Sequence, residues 1–309
     1  MKKLTTRPED RRSFFIFISP WLFGFVFLWI IPISWGLYTS FTNRMAFTVS
    51  PRFIGLQNYL ELLSDPAVQF SFLVTIVFSV MHTTIAMCVG FALALLLEKK
   101  ILGRGVFRTL LYFPHMIPLV AVGWIFRIFL ERDSGFLNVL LVRSGLMSQN
   151  IAWLSSYPLF SILTLSFWQA GWSMIIFLGG LSTIPDSLYE AATIDGAGYV
   201  RKLRNIVLPL ISPFTLFQFI MSVIYSLQFF VQPYILNPRP IRGGALMATT
   251  PPRETFFVMA RGYFNIMTQF RFAYGIALLW LLFVFIMVVT LVFLKLGAFF
   301  VYSEVESKR

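Results

Sequence analysis

The chain has 309 residues, of which 58% are hydrophobic, only 12% are charged and 36 are phenylalanine. Soluble domains carry roughly 25% charged and about 45–50% apolar residues, so a soluble enzyme, a disordered segment and a disulfide scaffold are excluded and a polytopic membrane protein remains. Lys and Arg total 25 against 13 Asp plus Glu, a net charge of +12, but they lie between long apolar blocks and form no solvated basic face of the kind nucleic acid needs.

A spanning helix takes about 20 predominantly apolar residues, and the stretches free of Asp, Glu, Lys and Arg were weighed against that need. The first runs from Ser13 to Asn43, with Phe14 to Tyr38 as the expected span. A basic head (Lys2, Lys3, Arg7, Arg11, Arg12) precedes it. The apolar stretch is too long for the core of a signal peptide and no small-residue cleavage site follows, so a retained helix is expected. The second stretch, Pro66 to Leu97, holds Cys88, the single cysteine. Alone it makes no intrachain disulfide, and it reads as a small core residue. The third lies between Arg108 and Arg127 and is interrupted at its start by Pro114 and Pro118. Within the fourth, Ser144 to Pro185, about Leu159 to Leu181 can span; the fifth is Asn205 to Pro238 and the sixth Phe272 to Leu294. The expected fold is all-α, with six transmembrane helices over residues 14–300, a segment 1–13 before them and a tail 301–309 after them.

Lys and Arg near the span ends set the orientation. One side collects the amino-terminal cluster, Lys99, Lys100, Arg104, Arg108, Arg201, Lys202, Arg204, Lys295, Lys308 and Arg309. The other has Arg44, Arg52, Arg132, Arg143 and the arginines between Arg239 and Arg271. The first side is richer, and long external segments weigh less in the rule, so both termini are expected in the cytoplasm. The outer segment between spans five and six is rich in Pro and Gly (Asn237-Pro238-Arg239-Pro240, Pro251-Pro252) and reads as ordered but irregular.

Ion-coupled carriers and many intramembrane enzymes place Asp, Glu or His inside the bilayer. No expected span has an acidic residue in its middle; His82 in span two and His115 near the start of span three are the exceptions among titratable groups. Each reads first as a hydrogen-bonded structural histidine. The sequence has no carboxylate pair, no metal-ligand spacing and no nucleophile elbow. It also lacks a phosphate-binding Gly-rich loop ending in Gly-Lys-Ser/Thr, so energy for active transport would have to come from another subunit.

The segment from Ile184 to Pro209, between spans four and five, carries the most information. Pro185 and Asp186 lead in, and Ser187 with Glu190 has the spacing of a capping box. Leu188, Ala191 and Ala192 share one helical face. Gly196 can supply a left-handed stop, and Gly198 loosens the chain again. Arg201, Lys202 and Arg204 follow before Leu208-Pro209 turns into span five. Ala191, Ala192 and Gly196 are small enough for another protein's surface to approach the backbone. The bland alternatives are that Glu190 only completes the cap and that the three cations are inside-facing anchors.

Glu190-Ala191-Ala192, then Gly196, then Ile206 with Leu208-Pro209 resembles the EAA loop of bacterial ABC importer permeases. The wider chain is similar to the carbohydrate-uptake permeases: Trp21-Leu22-Phe23 and Ile31-Pro32, then Phe53-Ile54-Gly55-Leu56-Gln57-Asn58-Tyr59, then Phe113-Pro114 to Trp124, and Phe272-Ala273-Tyr274-Gly275-Ile276-Ala277. It is more similar to the first subunit of the maltose and glycerol-phosphate type than to the second, which has a Trp-Asn pair where this chain has Leu227-Gln228-Phe229-Phe230. The family's Gly-Gly-Pro is present only as Gly243-Gly244-Ala245.

The resemblance implies a type I ABC importer permease fold in the bacterial inner membrane. It implies as partners a second homologous permease, two ATPase subunits that hold ATP and magnesium, and an extracytoplasmic solute-binding protein. This chain would bind no cofactor and catalyse no reaction. Glu190, Ala191, Ala192, Gly196, Leu208 and Pro209 carry over as the coupling surface on which the ATPase docks, and its closure would switch the spans between inward- and outward-facing states.

Sugars are held by aromatic stacking and by hydrogen bonds to hydroxyls. Span five offers Gln218, Ser222, Tyr225, Ser226 and Gln228, and span four Trp168, Gln169, Trp172 and Ser173. These form the candidate substrate pathway, although Ser and Gln also join helices to one another. The imported solute is expected to be a sugar, an oligosaccharide or a related polyol derivative. Rival readings are an ATP-independent facilitator or secondary carrier, which leaves the EAA pattern unexplained, and a membrane-embedded enzyme, for which no reactive cluster is present.

Overall fold

The computed structural model describes residues 8–98, 102–240 and 249–300. Outside them lie Lys2, Lys3, Arg7, Lys99, Lys100, Lys308 and Arg309 of the orientation argument, most of the segment 1–13, the tail 301–309, and Gly243-Gly244-Ala245.

The first crossing is α1 (Pro8–Phe25), a π-helical turn (Val26–Ile30) and α2 (Ile31–Ser40). The wide turn has a local cause in Pro32. Proline has no N–H for the carbonyl of Leu28 and its ring crowds that carbonyl, so the helix opens ahead of it and the Ile31 N–H reaches back to the Val26 carbonyl. The short α3 (Gln57–Ser64) folds back beneath α2. Asn58 explains how: its Nδ2 donates to the carbonyls of Ser40 and Thr42, both at 2.8 Å, while Tyr59 and Ser40 share a hydroxyl bond of 2.7 Å.

Helix α4 (Pro66–Glu98) has 33 residues, about 50 Å at 1.5 Å per residue, more than the ~30 Å hydrocarbon core. Ser71, Thr75, Ser79, His82, Ala86, Gly90 and Ala94 recur every three or four residues and are all buried, which makes α4 the central post of the bundle. At Gly90 the approach is tightest: a Cβ there would sit 2.4 Å from the Ser173 Cβ and 3.0 Å from its carbonyl carbon. Cys88, expected in the core, is exposed on the opposite face, because the small-residue stripe takes the buried side.

The third crossing departs from expectation. Helices α5 (Arg104–Met116) and α6 (Leu119–Phe129) meet at 96°. Pro118 is the cause, since it holds Ile117 in an extended conformation with ψ of 133°. Pro114 stays inside α5. Two short helices, α7 (Phe136–Arg143) and α8 (Trp153–Ser156), follow. They are knitted by fully buried Asn138, whose amide meets the carbonyls of Glu131, Arg132 and Ile151 and the Trp153 indole N–H. The fourth crossing is α9 (Pro158–Trp168) and α10 (Gly171–Leu181), offset at Gln169 and Ala170.

Beyond it come α11 (Asp186–Ile194), α12 (Tyr199–Lys202), a second π-helical stretch (Leu203–Val207), α13 (Leu208–Leu210) and α14 (Ser212–Leu227). The π stretch again precedes a proline, Pro209, and its last bond runs from the Leu208 N–H to the Leu203 carbonyl. The axis bends by 69° before α14. The fifth stretch, expected to run from Asn205 to Pro238, is therefore broken at Ile211 and again after Leu227, where α15 (Val231–Leu236) begins. Among the described residues, four helices are long and apolar enough to cross a membrane, and up to six crossings result if each bent pair counts as one.

The segment between α15 and the last crossing is more regular than its Pro and Gly suggest. Strands β1 (Arg239–Pro240) and β2 (Thr249–Thr250) pair antiparallel, and a 3-10 turn (Arg253–Thr255) leads into α16 (Val258–Met267). The Thr75 hydroxyl accepts the first helical N–H of α16, from Val258, at 3.0 Å. Arg261 donates through Nε to the Ser71 hydroxyl at 2.5 Å and lies over the Phe256 ring. Burial pushes the Arg261 guanidinium down from its ordinary value, and Asp65 opposes that shift. The last crossing, α17 (Phe272–Phe300), packs on α16 and α2. Apolar burial is organised as three clusters: Phe78 with Phe126, Phe229 and Phe257; Met174 with Phe177, Leu181 and Ile211; Leu62 with Val258 and Leu278.

Candidate functional site

Two places in this scaffold concentrate unusual side chains: a cavity inside the bundle and the exposed α11. The cavity, of about 270 Å³, lies among α4, α5, α9, α10 and α14. It gathers Gln169, Trp172, Ser173, Gln218, Ser222 and Tyr225 of the expected pathway. Residues 218, 222 and 225 share a face because they are four and three apart on α14.

Three side-chain bonds hold the walls. His82 Nδ1 meets the Ser166 hydroxyl at 2.7 Å, Gln218 Nε2 donates to the Ser173 hydroxyl at 2.6 Å, and Ser79 meets Ser226 at 2.6 Å. Among the described residues, Gln218 Oε1 and the Ser222 hydroxyl are buried with no hydrogen-bond partner. Both residues line the cavity, and native interiors seldom leave such atoms unpaired. Trp172 stacks on His115, ring centroids 5.1 Å apart and planes at 24°.

Three of the expected pathway residues are placed elsewhere. Ser226 is fully buried against Ser79 and joins α14 to α4. Trp168 packs edge-on against Phe126 in the cluster around Phe78. Gln228, exposed, borders a neighbouring cleft of about 340 Å³ with Met221, Tyr225 and Phe229. Conversely, His82, His115 and Ser166 line the cavity. His82 is hydrogen-bonded as a structural histidine would be, but it also faces the cavity. An ionisable residue deep in a span was the available signal.

Helix α11 is built from local rules, with one correction. Pro185, at φ −63° and ψ 135°, occupies the N-cap, and no side chain caps the helix. Ser187 is thus inside the first turn, so the Ser187–Glu190 spacing is no capping box, and Glu190 is exposed. The C-terminus behaves as expected. Gly196 is left-handed at φ +72°. Its N–H donates to the Thr193 carbonyl at 3.1 Å and that of Ala197 to the Ala192 carbonyl at 2.9 Å, a complete Schellman closure.

The helix is held from behind. The Tyr189 hydroxyl donates to Glu98 Oε1 at 3.0 Å, and Lys202 Nζ donates to the Thr193 hydroxyl at 2.6 Å. Burial, and then the Glu98 carboxylate, push the Tyr189 phenol up. In front, Leu188 is 40% exposed, Ile194 87%, Val200 74% and Leu208 44%. Ala191 is exposed, Ala192 and Pro209 half-buried. Uncovered aliphatic side chains around a polar loop mark an interaction surface.

The family model described as binding-protein-dependent transport system inner membrane component matches residues 86–302. The chain is 33% identical over 309 residues to the probable ABC transporter permease protein YesP of Bacillus subtilis, covering 98% of this chain and 96% of that one. It is 30% identical to the trehalose/maltose transport system permease protein MalF of Thermococcus litoralis, over 92% of this chain and 93% of that one. Among solved structures, a bacterial ABC transporter that imports the acidic polysaccharide alginate superposes with a TM-score of 0.78 at 21% identity, covering 94% and 97% of the two chains.

Proposed function

This chain belongs to the binding-protein-dependent transport system inner membrane component family, and from that premise we propose that it is the membrane-spanning permease of an ATP-driven importer for a sugar, an oligosaccharide or a related polyol derivative. The observation that carries the reading is the exposed, Schellman-closed helix α11, held from behind by the Tyr189–Glu98 bond, with Leu188 and Ile194 exposed.

A separate ATPase subunit docks on Glu190, Ala191, Ala192 and Gly196, with Leu208 and Pro209 at the base of the same surface. Two ATPase copies hold ATP and magnesium. A second, homologous permease completes the membrane part, and an extracytoplasmic binding protein delivers the solute. Both termini and α11 then lie on the cytoplasmic side of the inner membrane, where the ATPase is. The solute passes through the cavity walled by Trp172, Gln218, Ser222 and Tyr225, whose unpartnered Gln218 Oε1 and Ser222 hydroxyl are matched to a hydroxyl-rich molecule.

Alternating access needs two nearly balanced states and a partner that binds one of them better. The test is co-purification in detergent followed by reconstitution. A nucleotide-binding subunit retained with the chain, and uptake that requires ATP, support the proposal. Uptake by the lone chain without ATP would refute it.

A further inference from the structure

The cavity wall has a feature that narrows the solute class. Gln218 is 1% exposed, and its Nε2 is committed to Ser173. Ser173 in turn packs against Gly90, so closely that a Cβ there would sit 2.4 Å from the Ser173 Cβ. The amide oxygen is left buried and unpartnered. An amide oxygen only accepts, so its complement must donate a hydrogen.

A hydroxyl group donates. A phosphate or an ionised carboxylate offers acceptors, and against Gln218 Oε1 it would repel. The rest of the wall offers such a group neutral donors such as Trp172 and Tyr225 but no permanent positive charge: no Lys or Arg lines the cavity or the neighbouring cleft among the described residues. An anion moved there from water would be desolvated without a counter-charge.

We propose that this wall selects an uncharged, hydroxyl-bearing ring over its phosphorylated or carboxylated counterpart, with Gln218 Oε1 as the specificity-determining acceptor and Trp172 as the flat surface for the ring's C–H face. The proposal rests on the reading of the cavity as the solute path. It turns on hydrogen-bond direction and on the absence of cationic lining, which a general polarity argument would not use. Ser222, one turn beyond Gln218, supplies the second orphaned oxygen and, as a hydroxyl, serves the same ring as donor or acceptor.

The test titrates the full chain in lipid nanodiscs with matched probes: glucose, glucuronate and glucose 6-phosphate, then glycerol and glycerol 3-phosphate. Trp172 fluorescence is isolated by difference from a Trp172→Phe sample. A neutral probe should quench saturably, and its charged counterpart should bind at least about tenfold more weakly, since a buried group left unpaired discriminates strongly. Gln218→Met should weaken the neutral probe by about the same factor and leave the charged one unchanged. If Gln218→Met does not fold, Ser222→Ala should weaken the neutral probe alone. Equal or tighter binding of the charged probes would overturn the selectivity while the cavity reading stands. Absence of saturable quenching with every probe would overturn the cavity reading and this inference with it.

Discussion

Replacing Gly196 separates two reasons for a glycine at the end of α11. The residue sits at φ +72°, and a Cβ added there would meet nothing within 4 Å in this chain. Gly196→Ala therefore carries only the left-handed penalty, roughly 1–2 kcal/mol, or about 5–30-fold against the closed helix end. Asn tolerates the left-handed region and should lose much less. Hydrogen exchange at the Gly196 and Ala197 amides reads this directly, because both N–H groups are spent on the Schellman closure. Uptake and ATP hydrolysis by the reconstituted importer then read the second reason. If the ATPase surface comes close to this backbone, Asn restores exchange protection but not coupling, and Asp couples worst. Equal protection in Gly196→Ala and the unaltered chain would refute the conformational argument. Full coupling in both Asn and Asp variants would refute the docking argument.

Glu190→Lys should leave membrane insertion intact and uncouple ATP hydrolysis from uptake, measured in proteoliposomes. Tyr189→Phe removes the bond to Glu98, a net loss of about 0.5–1.5 kcal/mol; faster exchange along α11 without loss of assembly is the expected result, and unchanged exchange would show that the bond does not hold the helix. Gly90→Ala forces a Cβ into the backbone of Ser173 and should cost ~1–3 kcal/mol as overpacking. Lower thermal stability together with weakened solute binding would show that the α4–α10 contact supports the cavity.

The spans were legible because a bilayer demands apolar runs that break at charges. The loop was legible because caps and stops are written in adjacent residues, and Gly196 shows it. What failed were features decided by a neighbour. Ser187 and Glu190 have the right spacing for a cap, but Pro185 takes the N-cap place two residues earlier. Both prolines of the third stretch were visible, yet only Pro118 breaks the helix, because the break follows from what Ile117 is forced to do. Helix α16 contains Arg261 and so fails any search for apolar runs. One face of it (Val258, Ala260, Gly262 and Asn265) is buried all the same, and Ser71 and Thr75 of α4, more than 180 positions earlier, receive its polar groups. His82 hides in the same way: its role depends on Ser166, 84 residues away.

The two candidate sites are joined by a single stretch of backbone. From the end of α11 the chain runs through α12, the π stretch and α13 into α14, and Gln218 lies six positions past Ser212, about 9 Å along a helix. The proline that ends the EAA pattern is also the one that opens the π stretch. Its missing N–H leaves a backbone that is helical but not fully bonded, next to a 69° bend. A displacement of α11 thus reaches the cavity wall through a short, pre-bent segment, while Tyr189 and Glu98 tie the same helix to α4, which carries His82 on the facing wall. On the proposed reading, a push on this one loop is transmitted to two walls of one cavity. Pro209→Ala, which restores the missing N–H, should straighten the π stretch toward regular helix and slow uptake while ATP hydrolysis continues. Unimpaired uptake in that variant would mean that the motion takes another route.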